Sequence, residues 1–275
     1  MDSLPEDAES CTIDAGASAE QAAESLATNG ALLCRGAIAP RELAVYRDNA
    51  ERFFDHVEFL GINRLDLEIL KSYNCTTRRM GASVFCMNLR LKPPQFPFLH
   101  LLRESYVYPL VKDWLKTEQP MFLFHNSRVR RTYPDYHPMA EMVTSNFPYH
   151  QDGSPVGGLL ETITCWLPLG PAGEAAPGLE LVRKPMERLL PLLDNPDSPY
   201  RDFELADEVV DAEAGEAARW RPSMELGDVL LIPAGTLYRT FLSESMIRTG
   251  ISAELRFVAE EKAESFPREK RKILP

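Results

Sequence analysis

The pattern of apolar and polar residues along the chain changes character once, near residue 117. Before it the apolar positions recur at helical spacing. Ala19, Ala22, Ala23, Leu26 and Ala27 form one small face over Ser18 to Asn29, and Gly30 supplies a stop. A brief strand-like run, Ala31 to Leu33, precedes a long helix from Pro40 to Leu60 carrying Leu43, Tyr46, Phe53, Phe54 and Val57. A third helical stretch runs from Phe98 to Leu115 through Leu101, Leu102, Val107, Leu110, Val111 and Trp114, and Pro109 is expected to kink or divide it. After residue 117, short β-rich runs alternate with Pro, Gly and Asp. Strands are expected over Met121 to Thr132, Glu161 to Leu169, Leu179 to Val182, Asp228 to Ile232, Leu237 to Leu242 and Gly250 to Val258. A polar insertion, 183–222, interrupts them and is expected to be helical at Pro185 to Leu193. The pattern therefore predicts a loose tail over 1–17 and one domain over 18–275, with a helical part at 18–116 and an all-β barrel at 117–260.

Composition narrows the classes. The 275 residues are 44% hydrophobic and 26% charged, enough to bury a full core. Forty-one acidic against 30 basic residues leave a formal charge of -11, so a nucleic-acid backbone is not an expected partner. Cys11, Cys34, Cys75, Cys86 and Cys165 are widely spaced and read as reduced thiols. The acidic amino terminus lacks a signal-like apolar run and no stretch is long enough to span a bilayer, so a cytoplasmic location without membrane contact is expected.

Candidate chemistry begins at Pro148-Tyr149-His150-Gln151-Asp152-Gly153. On an extended segment, residues two apart project from one face, so His150 and Asp152 can reach a single divalent ion and leave other positions open. Taken alone, such a pair more often describes a capped turn with a partly exposed structural histidine. The order of the downstream motifs adds information: a Thr162 to Leu169 strand with Trp166, then Pro177-Gly178-Leu179-Glu180. Later come Gly227-Asp228-Val229-Leu230-Leu231-Ile232-Pro233-Ala234-Gly235-Thr236-Leu237-Tyr238 and Arg248-Thr249-Gly250-Ile251-Ser252. From about Met121 to Phe257 this resembles the phytanoyl-CoA dioxygenase family of Fe(II)/2-oxoglutarate-dependent oxygenases.

The resemblance implies a double-stranded β-helix, the cupin-like jelly roll, with an N-terminal helical layer. It implies Fe(II) held by His150 and Asp152, 2-oxoglutarate anchored on Arg248 with Thr240 and Trp166 beside it, and oxidation of a small molecule with dioxygen. For Trp166 an inward core aromatic is the other reading. The departure is Tyr238, where the family pattern has a third ligand, histidine. A phenol titrates near 10 and binds metal well only as phenolate, a hard anion. Tyr238 could ligate as phenolate, could stand aside while water or another histidine completes the site, or the metal could be lost. Of His56, His100, His125 and His137, none is a strong replacement. Arg128, Arg130 and Arg131 could face inward and attract an acidic substrate, or face solvent. The expected function is an oxidoreductase of this class. The alternative is a ligand-binding or regulatory member of the same fold with an altered or absent metal.

Overall fold

Two facing sheets, one of ten strands and one of three, make up the β part of the chain in the computed structural model, which describes residues 10–64, 75–76, 88–90, 97–123, 126–137, 146–154, 160–195, 198, 200, 203–265 and 272–273. The strands are β1 (Thr12–Ile13), β2 (Leu32–Cys34), β3 (Cys75–Thr76), β4 (Asn88–Arg90), β5 (Met121–Phe122), β6 (Arg128–Thr132), β7 (Thr162–Pro168), β8 (Gly178–Val182), β9 (Arg219–Trp220), β10 (Val229–Pro233), β11 (Tyr238–Phe241), β12 (Gly250–Val258) and β13 (Lys272–Ile273). The helices are α1 (Ala19–Asn29), α2 (Pro40–Arg64), α3 (Pro97–Glu104), α4 (Val107–Leu115) and α5 (Asp207–Ala214). The large sheet runs β1-β2-β10-β7-β12-β6-β4-β3, with β5 beside β12 and β13 beside β5; the small one runs β11-β8-β9. This is the double-stranded β-helix with a helical layer, built as two sheets and not closed into a barrel.

Period-two alternation decides what each face of the large sheet meets. Ile163, Cys165 and Leu167 on β7, Val229 and Leu231 on β10, and Ile251, Ala253, Leu255 and Phe257 on β12 pack under Leu26, Leu43, Phe54, Leu102 and Val111 of the helices. The opposite faces of β7 and β10 turn Trp166, Leu230 and Ile232 toward Leu179, Leu181 and Tyr238 of the small sheet and Trp220 of β9. On β12 that inner face is Ser252, Glu254 and Arg256, all buried. A polar pocket therefore lies between sheets that are apolar elsewhere.

Several elements depart from the sequence pattern for identifiable reasons. The third helical stretch breaks at Ser105 and Tyr106, and Pro109 sits in the first turn of α4, where its missing N–H is not needed. The expected strand from Met121 to Thr132 is two strands, because β5 continues along β12 and β6 pairs with a different part of it. Residues 185–193 are not helical. Their backbone is taken up by Gln151, whose side-chain oxygen accepts the Leu190 N–H at 2.7 Å and whose amide donates to the Arg188 carbonyl at 3.0 Å; the insertion's helix is α5 instead. Within the stretch expected as a loose tail, Thr12 and Ile13 pair with Leu33 and Cys34, and Cys11 is buried between the sheets. His125, the Cys75 and Cys86 thiols and residues 1–9 lie outside the described residues. Among the described residues no helix is long and apolar enough to cross a membrane.

The Gly227-Asp228 turn ties β10 to the start of α2. Asp228 accepts the Gly36 N–H at 2.9 Å, the Arg35 guanidinium at 2.7 Å and the Glu225 N–H at 2.9 Å. Gly227 adopts φ +107°, and a Cβ there would stand 2.3 Å from the Ile38 carbonyl oxygen. Gly36 also has a positive φ, +54°, but faces open space. Gly227→Ala should therefore cost at least about 2 kcal/mol and Gly36→Ala only about 1 kcal/mol, ranked by urea denaturation; equal losses would show that backbone conformation alone, not the close approach, sets the requirement.

Candidate metal and ligand site

The segment 147–152 builds the site by running along the open edge of the small sheet and then crossing to the large one. Phe147 accepts the Thr240 N–H at 3.0 Å, and His150 exchanges backbone hydrogen bonds with Tyr238 at 3.0 and 3.2 Å. This pairing sets the two side chains next to each other, their ring centroids 4.2 Å apart. Because alternate residues point the same way, Gln151 turns outward to the insertion while His150 and Asp152 both turn in. The Gly153 N–H then bonds to the Ala234 carbonyl at 2.9 Å, which carries Asp152 across to β7 and β12.

Asp152 is buried and fully engaged. The Arg256 guanidinium grips both carboxylate oxygens, at 2.8 and 3.2 Å, and the Thr164 and Tyr238 hydroxyls also donate to it. Burial by itself would raise its pKa; the Arg256 charge, aided by His150 and the hydrogen bonds, outweighs that and holds the carboxyl well below its usual range. Arg256 is correspondingly locked in its charged form: burial disfavours the charge, but Asp152 and Glu254 restore it.

His150 is prepared differently. Its Nδ1 lies 2.8 Å from the Pro148 carbonyl, which can only accept, so Nδ1 carries the proton and Nε2 keeps its lone pair. A backbone carbonyl that fixes the tautomer in this way is the usual support of a metal-binding imidazole. Burial lowers the pKa of His150, so the ring is neutral at pH 7. Tyr238 moves the other way. Burial first, and the adjacent Asp152 charge second, push its phenol well above 10, and its hydroxyl acts as a donor to Asp152.

Glu254 completes the polar interior. Its carboxylate lies 3.2 Å from Arg130 and 3.3 Å from Arg128 on the neighbouring strand and 3.4 Å from Arg256 two residues on. Burial pushes Glu254 up, and the guanidiniums of Arg130, Arg128 and Arg256 together pull it below its ordinary value. Arg130 also stacks on the Phe147 ring at 4.0 Å. Arg130, Thr132, His150, Trp166, Tyr238, Thr240, Ser252 and Glu254 all line one cavity of about 20 Å³, room for roughly one water molecule.

Of the residues expected from sequence, the structure thus brings together His150, Asp152, Tyr238, Thr240 and Trp166. The Thr240 hydroxyl accepts the Phe147 N–H at 3.1 Å and so positions the segment as well as lining the cavity. Arg248 does not join them. It is exposed on the turn before β12, its backbone N–H bonded to the Ala175 carbonyl at 2.9 Å, and β12 turns inward only from Ser252. Of the three arginines on β6, Arg128 and Arg130 face Glu254, whereas Arg131 faces Asp55 and Glu58 of α2. His56 and His100 are exposed and His137 packs on Tyr133, so none of them replaces the third ligand. Among the described residues no group of three His, Cys, Asp or Glu could hold a metal. Sequence reasoning passed over Arg256, Glu254 and Thr164. The available signal was the alternation Ser252, Glu254, Arg256, which in a sequence describes a solvent-facing strand edge equally well.

The buried ion pair has two consequences for stability. Arg256→Met leaves Asp152 buried without its main counter-charge and should cost about 3–5 kcal/mol by chemical denaturation. A loss under about 1 kcal/mol would show the pair to be solvated. Because the folded pKa of Asp152 is depressed, its contribution is complete above the unfolded value of about 4 and is lost as pH falls below it. Wild-type melting temperature should therefore drop on acidification below pH ~4, more steeply than that of Arg256→Met.

No family model and no curated protein sequence matches the chain. Solved structures do. The carbocyclase SnoK from nogalamycin biosynthesis, described as non-haem and α-ketoglutarate-dependent, superposes with a TM-score of 0.60 at 12% identity over 94% of this chain and 99% of its own. EctD from S. alaskensis with 2-oxoglutarate and 5-hydroxyectoine gives 0.61 at 12% identity, covering 89% and 77%. The epimerase SnoN in complex with Fe3+, α-ketoglutarate and nogalamycin RO gives 0.59 at 16% identity, covering 88% and 83%. At these identities the likeness establishes the fold, which is that of non-haem 2-oxoglutarate-dependent enzymes.

Proposed function

We propose that the protein is an Fe(II)- and 2-oxoglutarate-dependent oxidoreductase acting on a small molecule in the cytoplasm, of the kind its resemblance to the phytanoyl-CoA dioxygenase family implies. The observation that carries this reading is His150: its Nδ1 is committed to the Pro148 carbonyl and its neutral Nε2 sits on the same face as an ionised, buried Asp152. The chain's donors suit a divalent ion at two points and not at a third. His150 Nε2 and an Asp152 oxygen would hold it, whereas Tyr238 keeps its proton and already donates to Asp152. When bound, such an ion supplies a site at which an oxo acid and dioxygen can react. The protein's part is positional. Thr164 and Arg256 orient the Asp152 carboxylate, Thr240 braces the segment that carries His150, and Trp166 walls the cavity.

A second reading rests on Arg256. Asp152 already has a full counter-charge at 2.8 Å, and a metal at the same carboxylate would stand close to a guanidinium. That favours a ligand-binding or regulatory protein in which the ion pair takes the place of the metal. Titration with Fe(II) without oxygen separates the two. The enzyme reading expects about one ion per chain, no visible phenolate-to-metal band, loss of binding in His150→Ala, and conversion of 2-oxoglutarate to succinate in air. Tyr238→His should tighten metal binding roughly tenfold or more, about 1.4 kcal/mol. Wild-type protein that takes up no metal, with Tyr238→His restoring uptake, would favour the second reading.

A further inference from the structure

We infer that the protein carries a second binding site, on the helical side of the large sheet, for a small organic cation with a flat apolar body. No residue that lines this site also lines the cavity beside His150, so the inference is independent of iron and 2-oxoglutarate. Space, charge and preformed walls carry it.

The space comes from the sequence of α1. Four of the residues it turns toward α4 and the strand ends are alanines, Ala19, Ala22, Ala23 and Ala27. Side chains this short leave a cavity of about 720 Å³ between α1, α4, the insertion and the ends of β10 and β12. Sites that hold small molecules span about 300–1,000 Å³ and have mostly apolar walls. Here Leu26, Met186 and Pro233 supply apolar wall, and the half-buried Trp114 adds a broad aromatic one. The walls are also preformed. Ser18 and Gln21 cap the start of α1 reciprocally, at 2.8 and 3.1 Å, and Gly30 at its end is packed against the Lys184 carbonyl. The Pro233 to Thr236 turn is fixed by the Thr236 hydroxyl on the Gly30 carbonyl and by Gly153 and Gln151, which donate to Ala234 and Gly235. A ligand therefore enters without having to order the walls around it.

Charge selects the class of ligand. Six charged side chains line this cavity, and two of them, Lys262 and Glu161, pair with each other at 3.2 Å. The other four are Asp113, Glu187, Glu261 and Lys116, all exposed and none in a salt bridge among the described residues. Cations beside them in sequence are already engaged: Lys112 by Glu118 at 2.5 Å, and Lys184 and Arg188 by Glu213 at 3.0 and 2.5 Å. The rim thus carries two negative charges in excess over an apolar interior. Such a mouth keeps a ligand's positive charge in contact with water and the acids, while its flat body is buried along Trp114. A carboxylate at the same mouth would meet three acids and one lysine.

The test is calorimetric titration of the full, metal-free chain at pH 7 with three aromatics of one shape: 9-aminoacridine, a cation; acridine, uncharged; and acridine-9-carboxylate, an anion. The cation should bind at about one per chain and about tenfold more tightly than acridine, and the anion more weakly than either. Glu187→Gln/Glu261→Gln should weaken the cation about tenfold and leave acridine unchanged, whereas Glu42→Gln/Glu51→Gln, the same charge change at exposed positions of α2, should match wild type. Ala27→Trp fills the cavity from an exposed helical position and should abolish binding of all three; if it does not fold by circular dichroism, Ala23→Trp carries the same expectation. The inference is overturned by any of four results: no binding of the cation, acridine or the anion binding as tightly as the cation, the α2 pair weakening it as much as the rim pair, or binding that survives the tryptophan variant. It is equally overturned if wild type sediments as a dimer and Ala27→Trp as a monomer, since a second copy of the chain would then cover the cavity.

Discussion

The ion pair between Asp152 and Arg256 is the constraint around which the interior is arranged. A carboxylate this deeply buried persists as an anion only if a cation is held against it, and that cation persists only if its remaining donors are also used. Arg256 meets both conditions by reaching Asp152, Glu254 and the Asn126 carbonyl from one strand. Since Asp152 lies on a segment of the small sheet's edge and Arg256 on the large sheet, the pair also fixes the spacing of the two sheets at the polar end of the pocket. At the other end Trp166, Leu181, Trp220, Leu230 and Ile232 do so by packing.

This division explains why Tyr238 is tolerated. An imidazole at that position would present a second neutral donor to a metal; a phenol instead keeps its proton, donates a hydrogen bond to Asp152 and adds to the support Arg256 and Thr164 already supply. The same neighbourhood that raises the phenol's pKa depresses that of Asp152, so the two groups sit at opposite extremes and the proton between them has one stable position. On the reverse side of these strands, Tyr149 and Arg239 join the buried Glu180 at 2.6 and 2.7 Å. The two residues that flank the site pair are thereby anchored from behind, and a shift of either strand would break a second buried cluster.

The hydrophobic pattern by itself determined the helical first part, the strand-rich second part and the polar insertion, because apolar spacing is a local property of the chain. That His150 and Asp152 share a face could be read from any extended segment, and the resemblance added Trp166, Tyr238 and Thr240; the structure places these five side by side. What the pattern could not decide was which polar faces are covered. Ser252, Glu254 and Arg256 alternate with apolar neighbours as a half-exposed strand does, and only the arrival of β6, β7 and residues 147–152 makes that face an interior. The position of Arg248 was undecidable for the same reason in reverse: the turn before β12 leaves it exposed, because separation in sequence does not say where a turn ends and an inward face begins. The charges of the pocket come from three separate segments, residues 147–152, β6 and β12, and only tertiary structure brings them together.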